Sequence, residues 1–201
     1  MFAFNAASAA RRFAGLLACA LAAVLTAPWA AAAPQPSPLS LFGTPLKGAS
    51  RASLRQALTQ AGLVPTRVDD AYYCDLYSTN GVPEGSTELQ VCYTEDDNTF
   101  ASARYTFPAF MDTGLVKRVV ETVSVKYGRP SALVGNYGLG EVSARWAQPQ
   151  GMEVRVNRGW PDTTTYLQLL DRNNEGKMKA QMKAAEDARL RQRAQQDTRA
   201  F

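Results

Sequence analysis

MDTGLVKRVVETVSVKYGRP, residues 111–130, holds a helix start, an apolar stripe and a stop in one stretch. Asp112 or Thr113 can act as N-cap, because a short polar side chain accepts a backbone N–H of the first turn. Val116, Val120, Val123 and Tyr127 recur at helical spacing, with Leu115 and Val119 widening the stripe. Gly128 supplies the left-handed position after the last turn, and Pro130 forbids continuation. So many β-branched residues lower intrinsic helix propensity, so this helix needs a sheet to pack on.

Strand-like segments follow it. Residues 141–147 place Val142, Ala144 and Trp146 on one face, and residues 151–158 alternate Met152, Val154 and Val156 against Glu153, Arg155 and Asn157. Residues 163–170 make a third strand after the turn at 159–162. The same order occurs earlier in the chain. Ser50 caps a helix over 51–61, with Leu54, Ala57, Leu58 and Ala61 on one face, and Gly62 and Pro65 end it. Strands are predicted over 71–77, 88–94 and 99–107. The fold class is therefore α+β, two helices packed on antiparallel sheet, and the halves read as a tandem helix–strand–strand–strand repeat. Residues 39–46 form an edge strand or a lid under the first helix. Residues 172–201, rich in Ala, Lys, Arg and Gln, form a basic tail, a solvated helix fraying into disorder or one that docks on a partner. Met178, Met182 and Ala185 make a thin stripe along it.

The N-terminus reads as a targeting segment. Arg11 and Arg12 precede the small-apolar run 13–27, and cleavage after Ala32 leaves small residues at the recognised positions, so 1–32 is a signal peptide. Leu16-Leu17-Ala18-Cys19 resembles a lipobox, but the apolar run continues past Cys19; the run is short for a retained membrane anchor, and the arginine pair fits a twin-arginine signal poorly. Residues 33–49 are a Pro-rich tether and lead-in, 50–171 the α+β domain. The expected location is periplasmic or secreted, with no transmembrane segment after cleavage. In that setting Cys74 and Cys92 form a disulfide, and their midpoint, Pro83, falls in the predicted turn 78–86.

Charge and composition exclude several functions. The net charge is +4; removing Arg11 and Arg12 leaves +2, and the eight basic and five acidic residues of 171–201 contribute +3, which leaves −1 for 34–170. The domain therefore lacks the basic face that nucleic acid requires. The sequence has no histidine, which removes the commonest general base and metal ligand and every Ser–His or Cys–His arrangement. The glycine-rich run 135–140 lacks the lysine and following helix of a phosphate loop and reads as a flexible strand connection. No metal or cofactor is expected, and the chain reads as a non-catalytic binding or envelope-associated module.

Two other readings compete. Asp69, Asp70 and the Glu95-Asp96-Asp97 run are turn acids that could serve a hydrolase acting on an envelope substrate. Arg104, Arg145 and Arg155 fall at strand positions opposite their apolar neighbours; if the strands share a sheet they converge on one polar face and bind an anion or small ligand. Trp160 and Tyr166 join them as binding candidates, since Tyr72, Tyr73, Tyr77, Tyr93, Tyr105, Trp160 and Tyr166 cannot all share the buried face.

Leu46-Lys47-Gly48-Ala49-Ser50 leading into Leu54-Arg55-Gln56-Ala57-Leu58, and Lys126-Tyr127-Gly128-Arg129-Pro130 followed by a Trp-bearing strand, resemble small bacterial envelope proteins. The helix-then-sheet unit is similar to the β-lactamase-inhibitor-like and outer-membrane-assembly-lipoprotein-like repeat. That resemblance implies a non-catalytic binding or assembly module with a protein or envelope partner, and carries over no functional residue.

Overall fold

The structure is a computed structural model and describes residues 38–110, 112–161 and 163–198. The segment read as a signal peptide, the Cys19 lipobox alternative and the first part of the tether lie outside the described residues. The elements run β1 (Ser40–Leu41), β2 (Thr44–Pro45), α1 (Arg51–Gln60), β3 (Val64–Arg67), β4 (Cys74–Ser78), β5 (Glu88–Tyr93) and β6 (Phe100–Phe107). Then come α2 (Leu115–Tyr127), β7 (Ala132–Asn136), β8 (Leu139–Ala147), β9 (Met152–Arg158), β10 (Thr165–Asp171) and α3 (Arg172–Asp197).

Eight strands form one antiparallel sheet in the order β3-β4-β5-β6-β10-β9-β8-β7. Each half is a helix and then a four-stranded meander, and the last strands of the two halves, β6 and β10, meet at the centre. The expected tandem unit is present with four strands where the sequence predicted three. The extra ones, β3 and β7, are the two sheet edges, and every residue of both is exposed. These two edge strands bury neither face, so no alternation announces them. β4 also begins at Cys74, three residues after the predicted start.

Leu54 and Leu58 of α1 and Val116, Val119, Val120 and Val123 of α2 pack on the same sheet face, against Leu89, Val91, Phe100, Ala144, Trp146, Val154 and Val156. Burying each of these valines contributes roughly 1.5–3 kcal/mol, which offsets the poor helix propensity of the stretch. Ser50 caps α1 as expected, its Oγ accepting Ser53 N–H at 3.2 Å. α2 departs from expectation. Gly114 occupies the N-cap without a side-chain bond, while Asp112 Oδ1 accepts Gly114 N–H at 2.9 Å and the carboxylate pairs with Arg118. Asp112 closes its own turn one step before the helix begins. Gly128 ends the helix at φ 77°, as the sequence predicts. β1 and β2 form a separate two-stranded ribbon that buries Leu39, Leu41 and Leu46, so this segment is a lid on the core.

One buried ion fastens each helix to its half of the sheet. Asp75 on β4 is fully buried between Arg51 and Arg55, successive turns of α1. Arg51 donates to it at 2.6 and 3.2 Å, Arg55 at 2.8 and 2.9 Å, both bidentate. Burial raises the Asp75 pKa, but the hydrogen bonds and charges of Arg55 and Arg51 outweigh it and hold it below the usual carboxylate value. In the other half, Arg158 of β9 is buried and donates to the carbonyls of Gly140, Tyr137, Asn136 and Thr113 at 2.9–3.3 Å. It pins the β7–β8 turn and the lead-in to α2 together, so the glycine-rich run is a fastened hairpin instead of a flexible connection. Gly135 is required there, because a Cβ would lie 2.0 Å from the Glu141 carbonyl oxygen.

The tail is helical over Arg172–Asp197, and its first turns are docked, which corrects the expectation of a solvated helix. Asp171 caps it by accepting Asn173 and Asn174 N–H and also receives Lys47 Nζ at 2.8 Å. Asn174 Nδ2 donates to Phe100 O at 2.9 Å, Gln181 bonds Glu95 and Asp96, and Lys177 pairs with Asp96 at 2.7 Å. Met178 is buried against Cys92 and Ala101, on the sheet face opposite α1 and α2.

Two measurements test these fastenings. Arg158→Met strands buried carbonyls and should lower the unfolding free energy by about 3 kcal/mol or more in urea titrations; a loss below about 1 kcal/mol would show that the carbonyls find other donors. The depressed Asp75 pKa gives a stability contribution fully present above the unfolded value of about 3.9 and lost as pH falls through the lower folded value. Asp75→Asn should therefore be less stable at neutral pH and lose less further stability below about pH 4 than the wild type. Parallel acid slopes would remove Asp75 as the group responsible.

Candidate functional site

The sheet face opposite α1 and α2 is polar, and its register lines up the arginines. Cα partners across seven strands place Leu76, Gln90, Arg104, Gln168, Arg155, Arg145 and Ala132 in one row. The neighbouring row runs Ser78, Glu88, Thr106, Tyr166, Asn157, Ser143 and Val134. Arg104, Arg145 and Arg155 thus share one face, with Tyr166 in the adjoining row. Arg104 stacks on Tyr166, its Cζ 5.3 Å from the ring centroid. Trp160 stands apart, exposed in the turn beyond the last paired residues of β9 and β10, Arg158 and Thr165.

Arg145 and Arg155 are direct cross-strand partners. Like charges directly opposite are destabilising, and strands ~4.8 Å apart leave no room for an intervening group. Arg155 is compensated by Glu153, two residues along its own strand, at 2.6 and 2.9 Å. Arg145 is exposed and its side chain makes no ion pair among the described residues. Two further polar atoms on this face are buried without partners, Arg104 Nε and Asn157 Oδ1. The face is thus incompletely satisfied by its own residues, and its cations gather in the one row through Arg104, Arg155 and Arg145, while Glu88, Glu141 and Glu153 lie elsewhere on the face.

α3 overhangs one end of the row. A hollow of about 380 Å³ lies beneath its first turns, lined by Gln90, Arg104, Gln168 and Leu170 from the sheet and Met178 and Met182 from the helix. The rest of the row, over β9, β8 and β7, stands free of α3's main packing, which falls on β5, β6 and β10. The disulfide Cys74–Cys92 joins directly opposed residues on β4 and β5 of this same face, under Met178. It bears out the pairing and the turn centre read from the sequence.

The acids singled out in the sequence form no enclosed pair. Asp69, Asp70, Glu95, Asp96 and Asp97 are all exposed. Asp70 pairs with Arg55 at 2.9 Å, Glu95 accepts Tyr73 O–H at 2.7 Å, and Asp97 accepts from Thr94 and Thr99. The hydroxyl bonds of Thr94 and Thr99 hold Asp97 down to a pKa of about 2. Asp70 and Glu95 do line one polar hollow of about 210 Å³ beside Arg51 and Tyr93, yet both are already bonded. Among the described residues no cluster of three or more metal-ligating side chains occurs.

On the helix side, two adjoining hollows of about 410 and 240 Å³ run along α2 and share Pro83, Thr122, Val123 and Leu167. Their floor is apolar. Of the aromatic residues, Tyr77, Tyr93 and Tyr105 are core and Tyr166 is half-buried on the far face; outside the strands, Tyr72 and Trp160 are exposed and Tyr73 is half-buried against the cluster under Met178. Burial pushes the Tyr77 hydroxyl up to about 12.

Sequence reasoning missed Arg51, Arg55, Asp75 and Arg158. Arg158 was visible in principle, since it continues the Met152, Val154, Val156 alternation onto the core face, where an arginine must be bonded to be tolerated. Asp75 likewise shares a face with Tyr77.

Comparisons with known proteins add little. Neither protein-family models nor curated proteins give a match. Among solved structures the chain is similar to a DUF4309 family protein, YjgB, from Bacillus subtilis, at 16% identity and a TM-score of 0.41, covering 66% of this chain and 86% of that one. A likeness of that size carries no argument about function. No helix among the described residues is long and apolar enough to cross a membrane.

Removing Arg145 relieves the like-charge pair at no cost in hydrogen bonds. Arg145→Ala should leave the protein as stable or raise its unfolding free energy by about 0.2–1 kcal/mol, read from the urea midpoint. A clear destabilisation would make Arg145 a structural residue.

Proposed function

We propose that this chain is an exported, non-catalytic binding protein whose arginine-bearing sheet face takes an anionic group on an envelope partner. The observation that carries this reading is the opposed pair Arg145 and Arg155, with Arg145 making no ion pair among the described residues and Arg104 leaving a buried N–H unbonded in the same row. A face that retains repelling charges at a cost in stability is organised for something other than folding. Arginine suits the role, since its planar fork binds carboxylates and phosphates at two points. Export is supported by the charged and apolar N-terminal run and by the disulfide, which persists in oxidising compartments. The non-catalytic assignment rests on the lack of histidine and on the exposed, already bonded acids.

The test is binding of fluorescein-labelled poly-glutamate by anisotropy at several salt concentrations. Binding should weaken with salt and be lost when Arg104, Arg145 and Arg155 are all changed to alanine. Replacing Arg189, Arg191 and Arg193 on the exposed end of α3 should leave most of it. The reverse pattern would place anion binding on the tail and sink the sheet-face reading.

A further inference from the structure

The geometry points to β7 as a docking edge, to which a partner adds an extended segment with an acidic residue opposite Ala132. This deepens the reading of the arginine face and rests on it. The two outermost strands occupy equivalent places in the two halves but are built differently. β3 reads VPTR: Pro65 removes a donor, Arg67 adds a charge, and the register slips between them. These are devices by which a sheet edge is kept from pairing. β7 reads ALVGN, without charge or proline, and its one irregularity falls at the far end, between Gly135 and Asn136. Residues 132–134 are regularly paired with β8 and carry exposed apolar side chains, Leu133 48% and Val134 69% exposed. Among the described residues nothing pairs with the outer edge of β7. An edge of this kind accepts a further strand through main-chain hydrogen bonds.

Charge names the occupant. The arginine row ends at Ala132, the Cα partner of Arg145. A residue added outside Ala132 would lie two strand spacings, about 10 Å, from Arg145, and the alanine methyl leaves the way open for the guanidinium to reach a carboxylate there. Glu141 lies on the same face of β8, four residues away, and repels an acid placed towards Asn136. The edge therefore favours an acid at one end of the added strand and disfavours it at the other. A second copy of β7 supplies no acid, since ALVGN has none. An acidic segment of another protein fits the charge pattern where self-pairing does not.

The experiment uses the full chain, isotopically labelled, with an eight-residue Val/Thr peptide carrying a single Glu, followed by NMR. Amide shifts should appear at Ala132–Asn136, and a Glu→Gln peptide should bind about threefold more weakly. N-methylation of alternate peptide amides should abolish binding, as should Leu133→Lys with Val134→Lys. Arg145→Ala should erase the preference for Glu over Gln. Shifts confined to β9 and β10, or an N-methylated peptide binding equally well, overturn strand addition while leaving the arginine-face reading intact. An unchanged Glu preference in Arg145→Ala overturns both. No binding at millimolar peptide overturns the docking edge, as does a concentration-dependent dimer, seen by sedimentation and abolished by Leu133→Lys, which would assign β7 to self-association.

Discussion

The pairing of β6 with β10 is the constraint on which the rest depends. Among the described residues it is the single strand–strand pairing between the two halves, six residue pairs from Phe107–Thr165 to Ser102–Leu170. Each half alone would be a four-stranded meander with one helix. Joined at this seam they become one eight-stranded sheet with α1 and α2 over one core. The seam also fixes what the far face presents. A slip of one residue would turn Gln168 inwards and break the row that links Arg104 to Arg155. Core packing prevents the slip, because it would bring Leu169 out of the core and Leu170 into it. Burial on one side thus sets the charge pattern on the other.

The two halves solve the problem of attaching a helix in chemically opposite ways. In the first, a buried anion, Asp75, is held by two cations on α1. In the second, a buried cation, Arg158, is held by carbonyl dipoles, and no carboxylate is involved. Charges removed from water must be fully bonded to be tolerated, and both are. The architectural repeat is therefore not matched by a repeat of its polar interior, which explains why the halves share pattern without sharing sequence.

Much of this was legible. The valine stripe of 115–127, the Ser50 cap, the alternation of 151–158 and the two cysteines about Pro83 led to helices, strands and disulfide where they occur. The arginine face followed from alternation alone, once the strands shared a sheet. What escaped has physical reasons. β3 and β7 bury nothing, so they lack a period. The docking of α3 depends on Asn174, Lys177 and Gln181, polar residues whose partners lie more than seventy positions away. Asp75 and Arg158 look like surface charges until the alternation is followed onto the core side. Trp160, an exposed aromatic in a turn, was grouped with the arginines by residue type, and the register sets it apart.

The central position of β10 has a consequence for how the molecule comes into being. A chain emerging from its N-terminus presents β6, eight residues of FASARYTF, as a bare sheet margin through the synthesis of some sixty further residues, because its neighbour is nearly the last element made. Until Thr165–Asp171 arrives, the first half has an apolar margin open to any strand, including that of another nascent chain. The topology therefore favours keeping the polypeptide extended until Thr165–Asp171 has been made, so that β6 meets its own partner before any other strand.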